Sequence, residues 1–298
     1  MMKPLTLAAQ WFVIGAFCLG IARALSAEPA PAATAPAPTD FIRFVEDEEE
    51  GDSLQTGIAS YVSATGVVVD LVGAVHIADK KYFEALNARF KTYDAVLYEL
   101  VGRPVEERQE LKPADGSEKL QWLGQLQETM RKTLEVESQL AVIDYKAKNF
   151  VHADMSVEGF FAKQTDKKES FMTLWMRAIQ AQSAAADPEK PAPGLAVLLA
   201  ILMRKDSATE LKRLIGREFD SVEQIIAGVE SGGGTAIIGE RNRHALEVMQ
   251  RQIAAGRRKI AIFYGAAHLP DMEQRLLKTG FKRVKTEWLK AWDLAGEE

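Results

Sequence analysis

Two apolar, largely β-branched runs, each ending at a G-x-x-H turn and followed by an amphipathic helix and a further strand, predict an α/β protein. Val67 to Val72 runs into Gly73-Ala74-Val75-His76, and Lys259 to Tyr264 runs into Gly265-Ala266-Ala267-His268. The third observation is the region between them, 106–231, which reads mainly as helices. Together they predict a pseudo-twofold mixed central sheet, built from two strand, G-x-x-H, helix, strand units, flanked by helices and carrying a long helical insertion between the units.

In the first unit the run Val67 to Val72 suits a strand buried on both faces. Small residues follow, where backbone must pass close to something, and they deliver His76 to the carboxyl end of a strand, the place where open α/β sheets hold ligands. Asp79 has the character of an N-cap, and Tyr82, Phe83, Leu86 and Phe90 recur at helical spacing. Asp94 opens the return strand, Ala95 to Val101, with Glu99 inside it. A carboxylate at an apolar strand end is costly unless it is paired or bound to a cation. In the second unit Asp271, Met272, Leu276 and Leu277 form the helix, Gly280 ends it, and a last strand spans Phe281 to Leu294. There Glu287 falls roughly where Glu99 falls in the first unit. A repeat of this kind brings both histidines to one crevice.

The 298 residues are 47% hydrophobic and 27% charged, as in an ordinary globular protein. The first 27 are different. Lys3 precedes an apolar stretch, 5–22, and small residues follow it, the order of a secretory signal peptide cleaved after Ala24, Ser26 or Ala27. This places the mature protein in the periplasm or outside the cell; the alternative is an uncleaved membrane anchor at 5–22, near the lower length limit for a span. The only cysteine, Cys18, lies in this segment, so the mature chain has no thiol nucleophile, thiolate metal site or disulfide. Loss of Lys3 and Arg23 takes the formal charge from −5 to −7, and an acidic chain without a basic stripe excludes nucleic acid as the expected partner. Residues 28–56 are a Pro/Ala-rich tether followed by an acidic linker, and 57–298 form the α/β domain. Ile58 to Val62 and Val67 to Leu71, separated by Ser63-Ala64-Thr65-Gly66, make a β-hairpin at its start.

Within the insertion, leucines from Leu120 to Leu140 keep a helical repeat from about Ser117 to Ala147. After it come His152 and Asp154, which either reach the crevice or form a polar helix cap ahead of Ser156. The apolar run Leu195 to Met203 would be about 14 Å long as a helix, too short to span a bilayer, and is expected to pack on neighbouring helices. The loop Ser231 to Gly234 has P-loop glycine spacing with Gly239, but Glu240-Arg241 stands where Lys-Ser/Thr is required, which rules that motif out. Arg241 has the spacing of the inward face of a helix running to about Ala255, and is either paired with a buried carboxylate or placed to hold a substrate anion. His244 reads as a solvated helix position. The chain contains no G-x-S-x-G, H-E-x-x-H or G-x-G-x-x-G, which argues against serine hydrolases, zincins and dinucleotide enzymes.

The segments GAVHIAD…YDAVLYELVGR, GERN and FYGAAHLPDM…AW, spread from about Gly57 to Leu294, resemble the TraB/PrgY/GumN family, which is related to the Tiki proteases and more distantly to erythromycin-esterase and ChaN-like proteins. The resemblance marks His76 and His268, Glu99 with Arg103, and Arg241 with Asn242. It implies a mixed-sheet α/β fold and either a metal-dependent peptidase or a protein that shuts down a peptide signal. Two neutral imidazoles and a carboxylate make a three-ligand set suited to manganese, cobalt, iron or zinc, which can make a water acidic enough to supply hydroxide near neutral pH. On that reading His76, His268 and Glu99 are metal ligands, Glu99 being ligand or base. Arg241 stabilises an oxyanion on a peptide or small-molecule substrate, and Arg103, His152, Asp154 and Asn242 support the site. The alternative is a non-enzymatic extracytoplasmic binding protein in which the histidines hold haem or the crevice sequesters a peptide.

Overall fold

The computed structural model describes residues 41–102, 104, 131–166, 201, 203–204, 206–217, 235 and 238–295. The N-terminal segment 1–27, most of the tether, Arg103, the first part of the expected 117–147 helix, nearly all of the Leu195 to Met203 run and the glycine loop 231–234 lie outside them. The elements are β1 (Ile42–Val45), β2 (Ser53–Val62), β3 (Val68–Ala74), β4 (Ile77–Ala78), α1 (Lys80–Phe90), β5 (Ala95–Tyr98), β6 (Glu137–Ser138), α2 (Gln139–Val142), β7 (Phe150–His152), α3 (Val157–Asp166), α4 (Ser207–Arg217), α5 (Gly239–Ala254), β8 (Lys259–Gly265), a 3-10 turn Ala266–His268, α6 (Leu269–Lys278) and β9 (Lys282–Asp293). No helix among the described residues is long and apolar enough to cross a membrane.

The chain is mixed α/β. Strands β3, β8, β5 and β7 run parallel in that spatial order. Their residues Val69, Leu71, Val72, Val96, Leu97 and Ile260 to Tyr264 are all buried, as uniform apolar runs require in a sheet covered on both sides. Strand β2 adds the antiparallel half. Its first residues pair with β1, its later ones with β3, and its whole length with β9. The β2 to β3 hairpin turns at Gly66, whose φ of +76° belongs to the left-handed region.

Register places the helices. Tyr61 lies opposite Val69, so the two share a face, and the Tyr61 hydroxyl donates to Glu273 of α6 at 2.8 Å. Asp70, the next residue, points the other way and accepts from Tyr93, just after α1, at 2.5 Å. Helices α1 and α6 therefore cover opposite faces. On the α1 face Phe90 packs edge-on to Phe150 with centroids 5.5 Å apart and against Phe263 at 4.9 Å. This aromatic layer anchors the periodic face of α1 predicted from Tyr82, Phe83, Leu86 and Phe90.

Several expectations need correction. The sheet begins earlier than Gly57: Phe41, Ile42 and Leu54, within the segment taken as linker, are buried in β1, β2 and their approach. The helix expected to continue to Ala147 stops by residue 133, where Glu135 turns at φ +52°, and β6 then pairs with β4. Leu134 and Val136 do enter the core, but from a turn, because pairing with β4 outweighs the helical repeat. Asp79 stands at the N-cap position without capping α1; its carboxylate accepts from Lys212 at 2.9 Å and from the Asp293 N–H at 2.7 Å. Glu287 lies opposite Ile58 on β9, paired with Arg89 on the α1 face. Bonds from Arg89 and Lys285 hold its carboxyl down to about 2, and it has no part in the crevice.

The first motif glycine has a steric cause. A Cβ on Gly73 would sit 3.1 Å from the Gly57 carbonyl oxygen and 3.2 Å from that of Phe41. The Phe41 oxygen is held by the Gly57 N–H at 2.7 Å, so it cannot retreat cheaply. Gly73→Ala is expected to destabilise the fold by about 1–3 kcal/mol through overpacking. Chemical denaturation checks this, and an unchanged midpoint would refute it.

Candidate functional site

The site forms where the parallel strands end at their carboxyl edge. Glu99 follows β5 directly, and its N–H still bonds the Phe263 oxygen at 3.3 Å. Since Tyr98 points to the α1 face, Glu99 turns to the other, toward α5. One carboxylate oxygen, Oε2, accepts the Gly265 N–H at 2.8 Å, and the other, Oε1, accepts Arg241 Nη2 at 2.6 Å. The second motif glycine thus serves Glu99 through its backbone.

Arg241, in the first turn of α5, is 1% exposed. Its Nε donates to Asp154 Oδ1 at 2.9 Å and its Nη2 to Oδ2 at 2.6 Å, a two-pronged contact that suits a planar guanidinium. Of the two sequence alternatives, pairing with a buried carboxylate is the one found, with two carboxylates in place of one. Burial alone would raise the carboxyl of Glu99. The Arg241 charge opposes it, and with His268, His76 and the Gly265 N–H it holds the group far below the usual range. Desolvation likewise opposes the Arg241 charge, but Asp154 and Glu99 outweigh it and push that group above its ordinary value.

His268 closes the 3-10 turn and is buried. Its Nδ1 lies 2.6 Å from Asn242 Oδ1. The amide nitrogen of Asn242 is committed to the His268 carbonyl at 3.0 Å and to Asp271 at 2.8 Å, so the amide oxygen must face the ring. Nδ1 therefore carries the proton and Nε2 keeps its lone pair. Nε2 stands 3.6 Å from Glu99 Oε1 and 3.5 Å from Arg241 Nη1. Burial brings the imidazole down to about 4, with Glu99 pulling the other way, so the ring is neutral near pH 7. Tyr264 packs edge-on against it at 5.2 Å and donates to the Ala153 carbonyl at 2.7 Å.

His76 follows β3, the strand adjacent to β8, and is half-buried. Among the groups that lower the Glu99 carboxyl it comes after Arg241 and His268. His152 is placed differently: its Nε2 lies 2.6 Å from the Leu100 carbonyl and its ring packs on Tyr98. The sequence alternatives for the His152 and Asp154 pair therefore divide, Asp154 joining the cluster and His152 satisfying backbone. His244 is half-buried and its pKa is lowered, chiefly by that burial.

Among the described residues, the two carboxylates of Glu99 and Asp154 share the single guanidinium of Arg241 beside a neutral His268. Two donors of one ion, each about 2.1 Å from it, stand roughly 3–4 Å apart, and His268 Nε2 and Glu99 Oε1 meet that span at 3.6 Å. As the side chains stand, no three His, Cys, Asp or Glu residues among the described ones group around a single point. These two donors have the spacing of a ligand pair for a divalent ion.

Sequence reasoning missed Tyr264 and Asp271, although both flank the second G-x-x-H motif. The chain matches no protein-family model, no curated protein and no solved structure. The likeness to the TraB group rests on the motif residues themselves.

Two measurements test this electrostatic arrangement. Arg241→Met leaves two buried carboxylates without their cation and is expected to cost about 3–5 kcal/mol of stability, read by urea denaturation. An unaffected midpoint would mean the triad is not formed. The second concerns acid. His268 and Glu99 both titrate lower in the folded chain than in the unfolded one, so the unfolded chain binds more protons and stability drops as pH falls. For His268 the loss runs from the ordinary value of 6.5 down to about 4. Each group contributes a slope of at most about 1.4 kcal/mol per pH unit. In metal-free protein, His268→Gln should flatten the slope between pH 6.5 and 4.5; an identical slope in the variant would contradict the assignment.

Proposed function

We propose that the chain is a metal-dependent hydrolase acting on a peptide or amide bond outside the cytoplasm. The observation that carries this reading is the state of His268: a neutral ring fixed by Asn242, its Nε2 lone pair met by Arg241 Nη1 only at a long 3.5 Å, and 3.6 Å from the Glu99 carboxylate. A buried site with two carboxylates on one guanidinium and a donor pair at ligand spacing suits a cation. A divalent ion bound there would make a water acidic enough to supply hydroxide near neutral pH.

The residues of the chain have distinct parts in this proposal. His268 and Glu99 hold the ion, and His76 supplies the third donor. With both oxygens accepting bonds and its carboxyl held far below the usual range, Glu99 acts as ligand rather than as base. Arg241 acts by position: with Nε and Nη2 committed to Asp154 and Glu99, it fixes the direction of Glu99. The two units are further proposed to be halves related by a pseudo-twofold axis along the strands. Parallel adjacency of β3 and β8, with α1 and α6 on opposite faces, supports this.

The test is metal analysis with turnover of a mixed peptide pool. Purified protein is expected to hold a divalent metal at micromolar concentration and to lose cleavage on chelation, and His76→Ala and His268→Ala should lose both metal and cleavage. Protein that takes up no divalent metal, or cleavage that survives both chelation and His76→Ala, would sink the proposal. A haem absorption band in the same sample would replace it with the binding-protein reading.

A further inference from the structure

The edge of the sheet that lies away from the site has no part in the arrangement described so far. The chain enters β3, β8, β5 and β7 at that edge, and it turns from β2 to β3 and from α6 to β9 there as well. Hydrogen bonds lock these turns together. Asp94 accepts the N–H groups of Arg258 and Lys259 at 2.8 and 2.9 Å, joining the turn after α1 to the turn after α5. The Arg258 side chain donates to the Thr65 carbonyl in the β2 to β3 hairpin. Asn149, ahead of β7, donates to the carbonyls of Phe90 and Tyr93 at 2.8 and 3.0 Å. Lys282, at the start of β9, pairs with Val62 at the end of β2. Five turns from distant parts of the sequence thus make one fixed platform.

Its charge is largely of one sign. Lys91 follows α1, and Lys146 and Lys148 precede β7. Arg257, Arg258 and Lys259 lead into β8, while Lys278 and Lys282 flank the turn into β9. All of these but Lys259 are exposed, and among the described residues none of them forms an ion pair. The same turns hold two carboxylates, Asp94 and Asp144. The carboxyl edge, where the site lies, has the reverse character: the β1 to β2 turn there is Glu46-Asp47-Glu48-Glu49-Glu50-Gly51-Asp52. In a chain of formal charge −5, cations are gathered at one end of the strands and carboxylates at the other. No run in the sequence reveals this, because each segment supplies at most three cations.

We infer that this platform docks on an anionic membrane surface, its lysines and arginines against lipid phosphates, with the carboxyl edge of the sheet turned to the water. Each lysine or arginine near such a surface strengthens binding by about a factor of five. The acidic β1 to β2 turn is repelled from the same surface, which reinforces the orientation. Turn tips set side by side suit a plane. A nucleic-acid strand calls for a groove with rings on which bases stack, and the rings next to these turns, Tyr93, Tyr145 and Phe281, are buried. The apolar stretch 5–22, expected to export or to anchor the chain, also brings it to a membrane. The inference does not depend on the hydrolase reading: it states which way the crevice faces, whatever binds there.

The test reads orientation as well as binding. Full-length Cys18→Ser protein carries an environment-sensitive dye either on Ala64→Cys, at the exposed hairpin tip of the platform, or on Glu48→Cys, in the acidic turn. Each is mixed with vesicles of phosphatidylcholine alone and of phosphatidylcholine with phosphatidylglycerol. The dye at position 64 should shift to the blue on the anionic vesicles only and lose that shift in high salt, and the dye at position 48 should stay unchanged on both. Arg257→Gln combined with Lys278→Gln should lower the preference for anionic over neutral vesicles about thirtyfold. The N-terminal segment is the same in both proteins, so the difference belongs to the platform. Both side chains are exposed and unpaired, and the melting temperature should not change. Equal responses of the two dyes, a silent dye at position 64 on anionic vesicles, or an unchanged preference in the double variant would overturn the inference. So would a single-stranded oligonucleotide that shifts the dye at position 64 where anionic vesicles do not, which would give the platform to a nucleic acid.

Discussion

The contact on which the rest depends is Arg241 between Asp154 and Glu99. A guanidinium with almost no exposed surface is tolerable only if its charge and its planar donors are met, and here two carboxylates from different parts of the chain do so. One follows β5, the other follows β7, and the arginine comes from α5, so the triad ties two parallel strands to a helix laid across their ends. The Gly265 N–H takes the remaining side of Glu99 and brings in β8. Asn242, one residue after Arg241, then sets the tautomer of His268. A single helical turn thus fixes both the charge and the imidazole of the site.

A second buried carboxylate shows how different such a group can be. Asp70, on the opposite face of the sheet, is met by the Tyr93 hydroxyl at 2.5 Å and by Arg89 only at 3.8 Å, and its Oδ1 has no described partner. It bridges β3 to the end of α1 and stands apart from any imidazole pair. Glu99 instead has a cation, a backbone donor and the His268 ring beside it. Burial alone does not set the two carboxylates apart; the groups around them do.

Much of this was legible in the sequence. Uniform β-branched runs announced β3 and β8, because a strand covered on both faces has no polar side to alternate with. The spacing of Arg241 from Ala245 and Val248 marked it as inward. Glu99 stood out because an apolar strand end does not hold a carboxylate without reason. What failed were features decided by pairing between distant segments. Glu287 faces α1 because the register with β2 puts it there, and no count along β9 reveals that. Residues 131–147 keep leucines at helical spacing, yet β6 forms because β4 offers a partner. Asp154 and His152 were weighed together, though β7 ends at His152 and the chain beyond it carries Asp154 to a different task.

The position of β8 has a consequence for how the protein is made. This strand is inserted between β3 and β5, which precede it by more than 150 residues, so neither early strand has its central neighbour until the last part of the chain is available. Pairings between such distant segments incur the entropy of closing a long loop before they return any contact, which makes assembly slow. The N-terminal half therefore waits, with the apolar edges of β3 and β5 open. A chain that completes its sheet only at the end stays pliable during synthesis. That property makes early strand edges the segments most in need of a chaperone.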